Sequence, residues 1–368
     1  MDKLTEVMGR LDRVRFPSDI SFHRGGKAIA TSVRPANRDA GQSYQSRIWR
    51  YELDGAATQL THGPNGDYAP RYSPVDERLA FASDRTIIGK ADLFILDQGQ
   101  VKPLGNIPGT IEDLRWTGDG KALVVLAADR GLDGGATNGA VRIWWGGTED
   151  PAVTNPTDAR RRLFKVTLAD GKTVEVGPRD ATVWEFDLFG DDAALTLIST
   201  DASERGWYHS KVARIDFASR DAKILHESRW QLQGPAASPS GKRVAFTEGW
   251  SSDRGLVAGE MRILELATGK VTTLAASEQS NITSLSWRDE DSLWFAGWSR
   301  LGSTYGIVRL DGTFEWIERE DAVIGPNSFL AAISPAPDNK GFAAIREAVG
   351  VPPEIVFNVS RKANWSPV

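Results

Sequence analysis

The feature that most constrains the fold is one small turn, built seven times. It reads HRGGK (23–27), SPVDE (73–77), TGDGK (117–121), FGDDA (189–193), SPSGK (238–242), RDEDS (288–292) and SPAPDNK (334–340). Most of the spacings are 44–50 residues; the one between the third and fourth turns is 72. A short apolar or aromatic segment precedes each turn, as in YAPRY, IEDLRW, VWEFDLF and ITSLSW. An alternating or wholly apolar segment follows, as in RLAFAS, ALVVLA, ALTLIS, RVAFTE and SLWFAG. A second hairpin comes next, closed by DG (54–55), DQG (97–99) or ATG (267–269). In such turns Gly supplies positive φ and Asp bonds back to the turn backbone.

Each unit therefore holds four short strands, and seven units of about 50 residues nearly fill the chain. An isolated unit of this kind cannot bury its apolar faces, whereas a ring lets each sheet pack on two neighbours and leaves only short edges. The expected fold is all-β: a seven-bladed β-propeller of four-stranded antiparallel blades with a short N-terminal helix. The 13 Trp and 36 Gly suit many tight turns and large packing side chains.

Two segments break the repeat. Residues 1–16 are expected to be helical, with Leu4, Met8 and Leu11 on one stripe, Val7 and Val14 alongside, and Pro17 as the stop. The propeller then covers 17–368, with an insertion over about 130–160 that accounts for the long spacing. Its Gly, Asn, Pro and Thr surround a short apolar run, VRIWW.

Composition removes several function classes. Net charge is −5 with basic residues scattered, so no nucleic-acid footprint stands out. No run of 18 apolar residues is present, so no membrane partner is expected. The polar opening MDKLTEVMGRLDRVRF does not read as a secretory leader; the cytoplasm is the expected compartment, with the periplasm as the alternative if a leader was removed. There is no Cys, and the four His (23, 62, 209, 226) have no metal-ligand spacing. No cofactor and no metal site is expected. GSTYG (302–306) has Thr304 at its centre and lies between strands, so it reads as a turn and not as a nucleophile elbow. No catalytic residue is assigned.

What recurs instead is a polar group just after the second strand of a unit: SDR (83–85), ADR (128–130), TDASER (200–205), EGWSSDR (248–254) and GWSR (297–300). A propeller places these on one rim. The candidate substrate- or partner-facing residues are Asp84, Arg85, Asp129, Arg130, Arg205, Trp207, Glu248, Trp250, Asp253, Arg254, Trp298 and Arg300. The alternative reading is that Asp–Arg pairs there lock blades together. Acids on the inner strands are Asp67, Glu112, Asp113, Glu185 and Asp187; which of them face the channel depends on strand register.

The SP-x-G-K/R-x-x-A-F phrasing, the SDR after the second strand and FTEGWSSDRG together resemble the N-terminal propeller of the prolyl oligopeptidase family of serine peptidases, and the acylaminoacyl-peptidase-like branch above all. The SPDGK-like turn is shared with stand-alone TolB-type scaffold propellers, which gives the alternative reading of a protein-binding ring. The peptidase resemblance implies an α/β-hydrolase catalytic domain as partner, following the propeller or supplied as a separated half. It implies short or acylated peptides as substrates, and a ring that gates access by size. No residue of this chain matches that family's Ser, Asp and His.

Overall fold

The computed structural model describes residues 5–7, 9, 14–36, 45–129, 132, 159–274, 280–326, 329–358 and 366–367. The strands fall into seven sheets, each a simple up-and-down meander. Blade 1 is β1 (Arg15–Phe22), β2 (Ala28–Pro35), β3 (Arg47–Glu52) and β4 (Ala57–Gln59). Blade 2 is β5 (Asp67–Tyr72), β6 (Leu79–Ile87), β7 (Lys90–Asp97) and β8 (Gln100–Pro103). Blade 3 is β9 (Thr110–Trp116), β10 (Ala122–Ala128), β11 (Arg161–Thr167) and β12 (Thr173–Glu175). Blade 4 is β13 (Thr182–Leu188), β14 (Ala193–Ser199), β15 (Lys211–Asp216) and β16 (Ala222–His226). Blade 5 is β17 (Gln231–Ala237), β18 (Arg243–Gly249), β19 (Glu260–Glu265) and β20 (Val271–Leu274). Blade 6 is β21 (Ser280–Trp287), β22 (Ser292–Ser299), β23 (Gly302–Arg309) and β24 (Phe314–Glu320). In blade 7 the first strand is split into β25 (Val323–Ile324) and β26 (Ser334–Pro335), both paired with β27 (Phe342–Ala348), which continues to β28 (Val351–Asn358) and β29 (Ser366–Pro367).

First strands of neighbouring blades touch one another, so they form the hub. The second strands are largely apolar through their first half, where both of their faces are covered. In β10, Leu123, Val125 and Ala127 pack toward blade 2, while Val124 and Leu126 pack toward blade 4. In β14, Ala194 and Ile198 face blade 3, and Leu195 and Leu197 face blade 5. The core is thus seven apolar wedges, one at each junction between blades, and not a single central mass.

The recurring turn joins the first strand to the second, and all of its copies lie on one face. There they touch in sequence around the ring. His23 Nε2 meets Glu77 Oε2 at 2.8 Å, Gly118 N donates to Asp191 Oδ1 at 2.6 Å, and Ser240 Oγ donates to Glu290 Oε2 at 2.8 Å. Asn339 Nδ2 donates to the Arg288 carbonyl at 2.8 Å. At Gly120 (φ 66°) a Cβ would lie 2.3 Å from Val75 Cγ2, so glycine is required both by the turn and by the next blade. The chain rebuilds this hairpin because each copy is a contact for the copies beside it.

The helix expected over 1–16 is present at residues 5–7 and 9, but β1 begins at Arg15, and Pro17 lies inside it, paired with Val33. Pro17, Pro70, Pro235 and Pro335 all sit in hub strands, whose channel-facing edge needs no N–H donor. Leu4, Met8 and Leu11 lie outside the described residues; Val7 is exposed. The insertion falls between β10 and β11, and 130–131 and 133–158 of it lie outside the described residues.

Among the described residues blades 1 and 7 are each completed by their own strands, with no strand exchanged where the ring closes. That seam rests on Ile29, Ala343, Ile355 and Phe357, with Phe22 against the Phe357 ring at 5.9 Å. Phe357→Ala is expected to lower unfolding stability by about 3–5 kcal/mol in urea melts. A loss below about 1 kcal/mol would mean that this seam does not hold the ring closed.

Candidate functional site

Strand polarity defines the second face. Turns between second and third strands, crossovers between blades, the start of β1 and the end of β29 all emerge opposite the recurring hairpin turns. Eleven of the twelve rim candidates are described and belong to this face, and the structure divides them.

Six are committed to holding strands and crossovers. Asp84 is buried; its carboxylate accepts from Gly66 N at 2.8 Å and Gly89 N at 3.0 Å, tying the crossover into blade 2 to the β6–β7 turn. Arg85 Nη2 meets the buried Asp67 Oδ1 at 2.6 Å, and its guanidinium lies over Phe81 and Phe94. Asp129 accepts from Arg160 N at 3.0 Å and pairs with Arg162. Glu248 is buried against Arg262 Nε at 2.6 Å. Trp207 fills the wedge between blades 4 and 5, edge-on to Tyr208. Trp298 donates Nε1 to the Phe329 carbonyl at 3.1 Å. Arg130 lies outside the described residues.

The other five reach the surface. Arg205, Asp253 and Arg300 are exposed, and Arg254 lies half-buried over the Trp184 ring at 5.8 Å. Trp250 is 71% exposed. It is not isolated: Ile87, Trp230, Leu301, Phe329 and Val349 are also exposed; Ile87 ends β6 beside the β6–β7 turn, and the others lie in turns or crossovers of this face or in the interruption of blade 7's first strand. The other large exposed apolar residues among the described ones are Val75 in a hairpin turn, Val174 and Ile224 on fourth strands, and Val7 in the N-terminal helix.

The hub carries a second polar set. Six first strands have a β-bulge at the same level, at Asp19, Ala69–Pro70, Glu112, Trp184, Gly234–Pro235 and Thr283. Asp19 (φ 55°) and Ala69 (φ 48°) take the left-handed conformation there. Bulges turn the following side chains. The result is a lattice across blades 1–4: Asp19 to Arg71 at 3.9 Å, Arg71 to Asp113 at 3.2 Å, Asp113 to Arg115 at 2.5 Å and Arg115 to Asp187 at 3.9 Å. Glu185 accepts from Gly234 N at 2.8 Å across the next junction. Burial raises the Asp19 and Asp187 carboxyls above the usual carboxylate range and pushes Glu185 up to about 7, against the Gly234 hydrogen bond and with help from the nearby Asp113 charge.

Of the acids singled out in sequence, Asp113, Glu185 and Asp187 belong to this lattice. Asp67 and Glu112 do not: they are buried against Arg85 and Arg161. Asp19, Arg71 and Arg115 escaped sequence reading, because a bulge breaks the alternation from which facing is read.

Among the described residues no group of three His, Asp or Glu could hold a metal ion, and no hydrogen bond joins a histidine to a serine hydroxyl. The described residues thus offer two candidate surfaces, exposed apolar loops and a charged hub.

No family model matches the chain. An uncharacterized peptidase of Bacillus subtilis (strain 168), YuxL, is 37% identical over 102 residues, which is 27% of this chain and 15% of that protein. Among solved structures, the acylaminoacyl peptidase of Pyrococcus horikoshii superposes with a TM-score of 0.67 at 14% identity, over 97% of this chain and 52% of that one. The β-propeller domain of the Trilobed protease from Pyrococcus furiosus, described as having an open velcro topology, superposes at 0.62 and 11% identity over 96% of this chain and 98% of that one. This chain therefore spans about half the length of the solved acylaminoacyl peptidase, and the shared feature is the propeller fold.

Two measurements separate structural from exposed side chains and test the hub. Arg85→Ala leaves Asp67 buried without its partner and is expected to cost about 3–5 kcal/mol, while Trp250→Ala is expected to stay within about 0.5 kcal/mol. The reverse order in thermal or urea melts would overturn the division. Glu185 ionises near its ordinary 4.5 in the unfolded chain and at about 7 in the ring, so folding takes up a proton between those values. Its contribution is full below the lower value and is lost as pH rises through the higher one. Glu185→Gln keeps an acceptor for Gly234 and removes the titration. The variant should gain on the wild type by up to about 3 kcal/mol between acid and mildly alkaline melts. A stability difference that does not change with pH is the contrary result.

Proposed function

We propose that this chain is the non-catalytic, substrate-gating propeller portion of a serine exopeptidase or oligopeptidase acting on short or acylated peptides, with an α/β-hydrolase domain as its partner. The observation that carries the reading is the contrast between the two faces. On one, the hairpin turns of neighbouring blades are tied to each other. The other gathers both ends of the ring and the exposed apolar tips. The likeness to peptidase propellers in chains about twice as long supports it. So does the peptidase relative matched over part of the chain.

The physical role is steric. A rigid ring over a hydrolase site admits extended peptides and rejects folded protein, and it leaves the intrinsic reactivity of the distant nucleophile unchanged. The proposed compartment is the cytoplasm, with the periplasm as the alternative.

The purified chain is expected to hydrolyse no acyl-peptide or aminoacyl chromogenic substrate above a blank. Together with an α/β-hydrolase domain encoded in the same or the adjoining reading frame, it is expected to confine cleavage to short peptides and to spare folded protein. Turnover by the chain alone that one point mutation abolishes would refute the reading. So would a hydrolase domain that cleaves folded protein equally well with and without the ring. If no hydrolase domain is encoded beside it and the chain captures proteins without cleaving them, the scaffold alternative replaces this one.

A further inference from the structure

We infer that the hub selects peptides by charge: it favours short peptides that carry lysine or arginine side chains over acidic ones, because one part of the channel wall is ionic with an excess of carboxylates and the rest is built of small uncharged residues. The inference rests on the proposed function and deepens it, because it adds a class of peptide to a gate that otherwise sorts by size.

The register of the hub strands divides the channel wall. Pairing with the second strands puts Arg71, Arg115 and Asp187 of blades 2–4 at one level. Blades 5–7 hold the same level with Ala236, Ser286 and Ser334. Two residues earlier in the chain, blades 3 and 4 carry Asp113 and Glu185, and the bulge of blade 1 carries Asp19. The matching positions of blades 5–7 are Gly234, Ser284 and Ala332. At neither level do blades 5–7 place a charge or a side chain larger than serine. The room in the channel therefore lies against blades 5–7, and a peptide that runs there faces the ions of blades 1–4.

The ionic wall carries uncompensated negative charge. Arg71 is shared by Asp113 at 3.2 Å and Asp19 at 3.9 Å, and Arg115 by Asp113 and by Asp187 at 3.9 Å. Glu185 accepts from Gly234 N at 2.8 Å, and among the described residues no ion pair joins it to a lysine or arginine. Two guanidinia thus stand against four carboxylates. The carboxylates farthest from their guanidinia are also the ones open to the lumen: the side chains of Asp187 and Asp19 are 42% and 37% exposed. A channel with an excess of one sign focuses its field and raises the local concentration of the opposite charge. An acidic side chain in the same place meets repulsion with no spare cation to relieve it, since both guanidinia are already shared.

Titration gives this selectivity a signature. Glu185 has Asp113 and Arg115 of β9 beside it and Asp187 on its own strand, with Asp19 and Arg71 farther round the hub. On β11, Arg161, Arg162 and Lys165 are committed to Glu112, Asp129 and Asp192. The strands β14 and β17 packed against it carry no titratable side chain. Burial pushes Glu185 up to about 7, so it gains its charge as pH rises through neutrality, and the preference for cationic peptides rises with it.

The test uses this chain with the hydrolase domain encoded with it, and acetylated, internally quenched peptides that differ only in one Lys, Gln or Glu. At low salt, kcat/KM for the Lys peptide is expected to exceed that for the Glu peptide by about tenfold or more, and the gap should close in roughly 0.5 M NaCl. The Lys/Glu ratio cancels the pH dependence of the hydrolase itself. It should rise between pH values of about 6 and about 8, and stay flat over that range in Glu185→Gln. The triple variant Asp19→Asn, Glu185→Gln, Asp187→Asn leaves one of these carboxylates against two guanidinia and should reverse the preference. Ser286→Lys adds a cation to the small-residue wall, keeps the lattice intact and should erode the preference even if the triple variant fails to fold. Equal kcat/KM for the three peptides, a preference for Glu, or a preference for Lys that survives these substitutions overturns the charge selection and leaves the proposed function standing. Wild-type protein that cleaves folded protein as readily as short peptides overturns the proposed function, and this inference with it.

Discussion

Everything in this molecule depends on the inability of a four-stranded blade to bury its own faces. Each sheet is apolar on both sides along its second strand, so it is stable only between two others. The alternation inside β10 and β14, with successive side chains assigned to opposite neighbours, is the sequence expression of that demand. It also explains why no single core exists. Stability is distributed over seven junctions, and a change at one is felt by two blades. Among the described residues no strand crosses the closing seam, and the ring is held there by the same packing that joins every other pair, with Phe22 and Phe357 at the contact.

The wedges fill the middle of each junction, and polar bonds finish its inner end. Trp116 donates Nε1 to the Arg71 carbonyl at 2.8 Å, and Trp287 donates to the Ala236 carbonyl at 3.0 Å; in each case the last residue of a hub strand is tied to the blade before it. Gln233 Nε2 reaches the Thr283 carbonyl at 3.1 Å, joining blade 5 to blade 6. These bonds satisfy groups that the bulges would otherwise leave without partners. The charged lattice over blades 1–4 is built the same way but with ions, and it holds four carboxylates with two guanidinia. That imbalance is tolerated because the hub is reached by water and because burial keeps part of the acid set protonated more readily than usual.

How much of this was legible follows from which signals are local. Turn chemistry is local: Gly, Asp and Pro in HRGGK, TGDGK and SPSGK announce their backbone conformation without reference to the rest of the chain, and counting them gave seven blades. Bulges are not announced in that way. Gly234–Pro235 and Ala69–Pro70 look like ordinary strand interruptions, and Asp19 follows a proline that reads as a helix stop. Register past each bulge was therefore open, and Asp67 and Glu112 stood beside Asp113 and Asp187 as equal candidates. The rim suffered differently. The Asp–Arg pairs were conspicuous because they repeat. In blades 2 and 3 they hold strands and crossovers, as Asp84, Arg85 and Asp129 show, whereas Arg205, Asp253 and Arg300 in blades 4–6 are exposed.

This gives a general reason why Leu301, Phe329 and Val349 escaped a reading based on repetition, which did pick out the exposed Trp250. A side chain that maintains the ring must recur wherever the ring has the same geometry, so periodicity enriches for structural roles. A side chain that meets a partner answers to the partner's shape, which does not share the ring's symmetry. Phe329 lies in an interruption that no other first strand shows among the described residues, and in sequence Leu301, Phe329 and Val349 merge with the apolar strands beside them. The interrupted first strand of blade 7 is the clearest case. It departs from the repeat, it is held in place by Thr283 and Trp298 from the neighbouring blade, and it presents an aromatic ring to solvent. In a protein built from copies, the departures that are structurally supported are the positions where recognition should be sought.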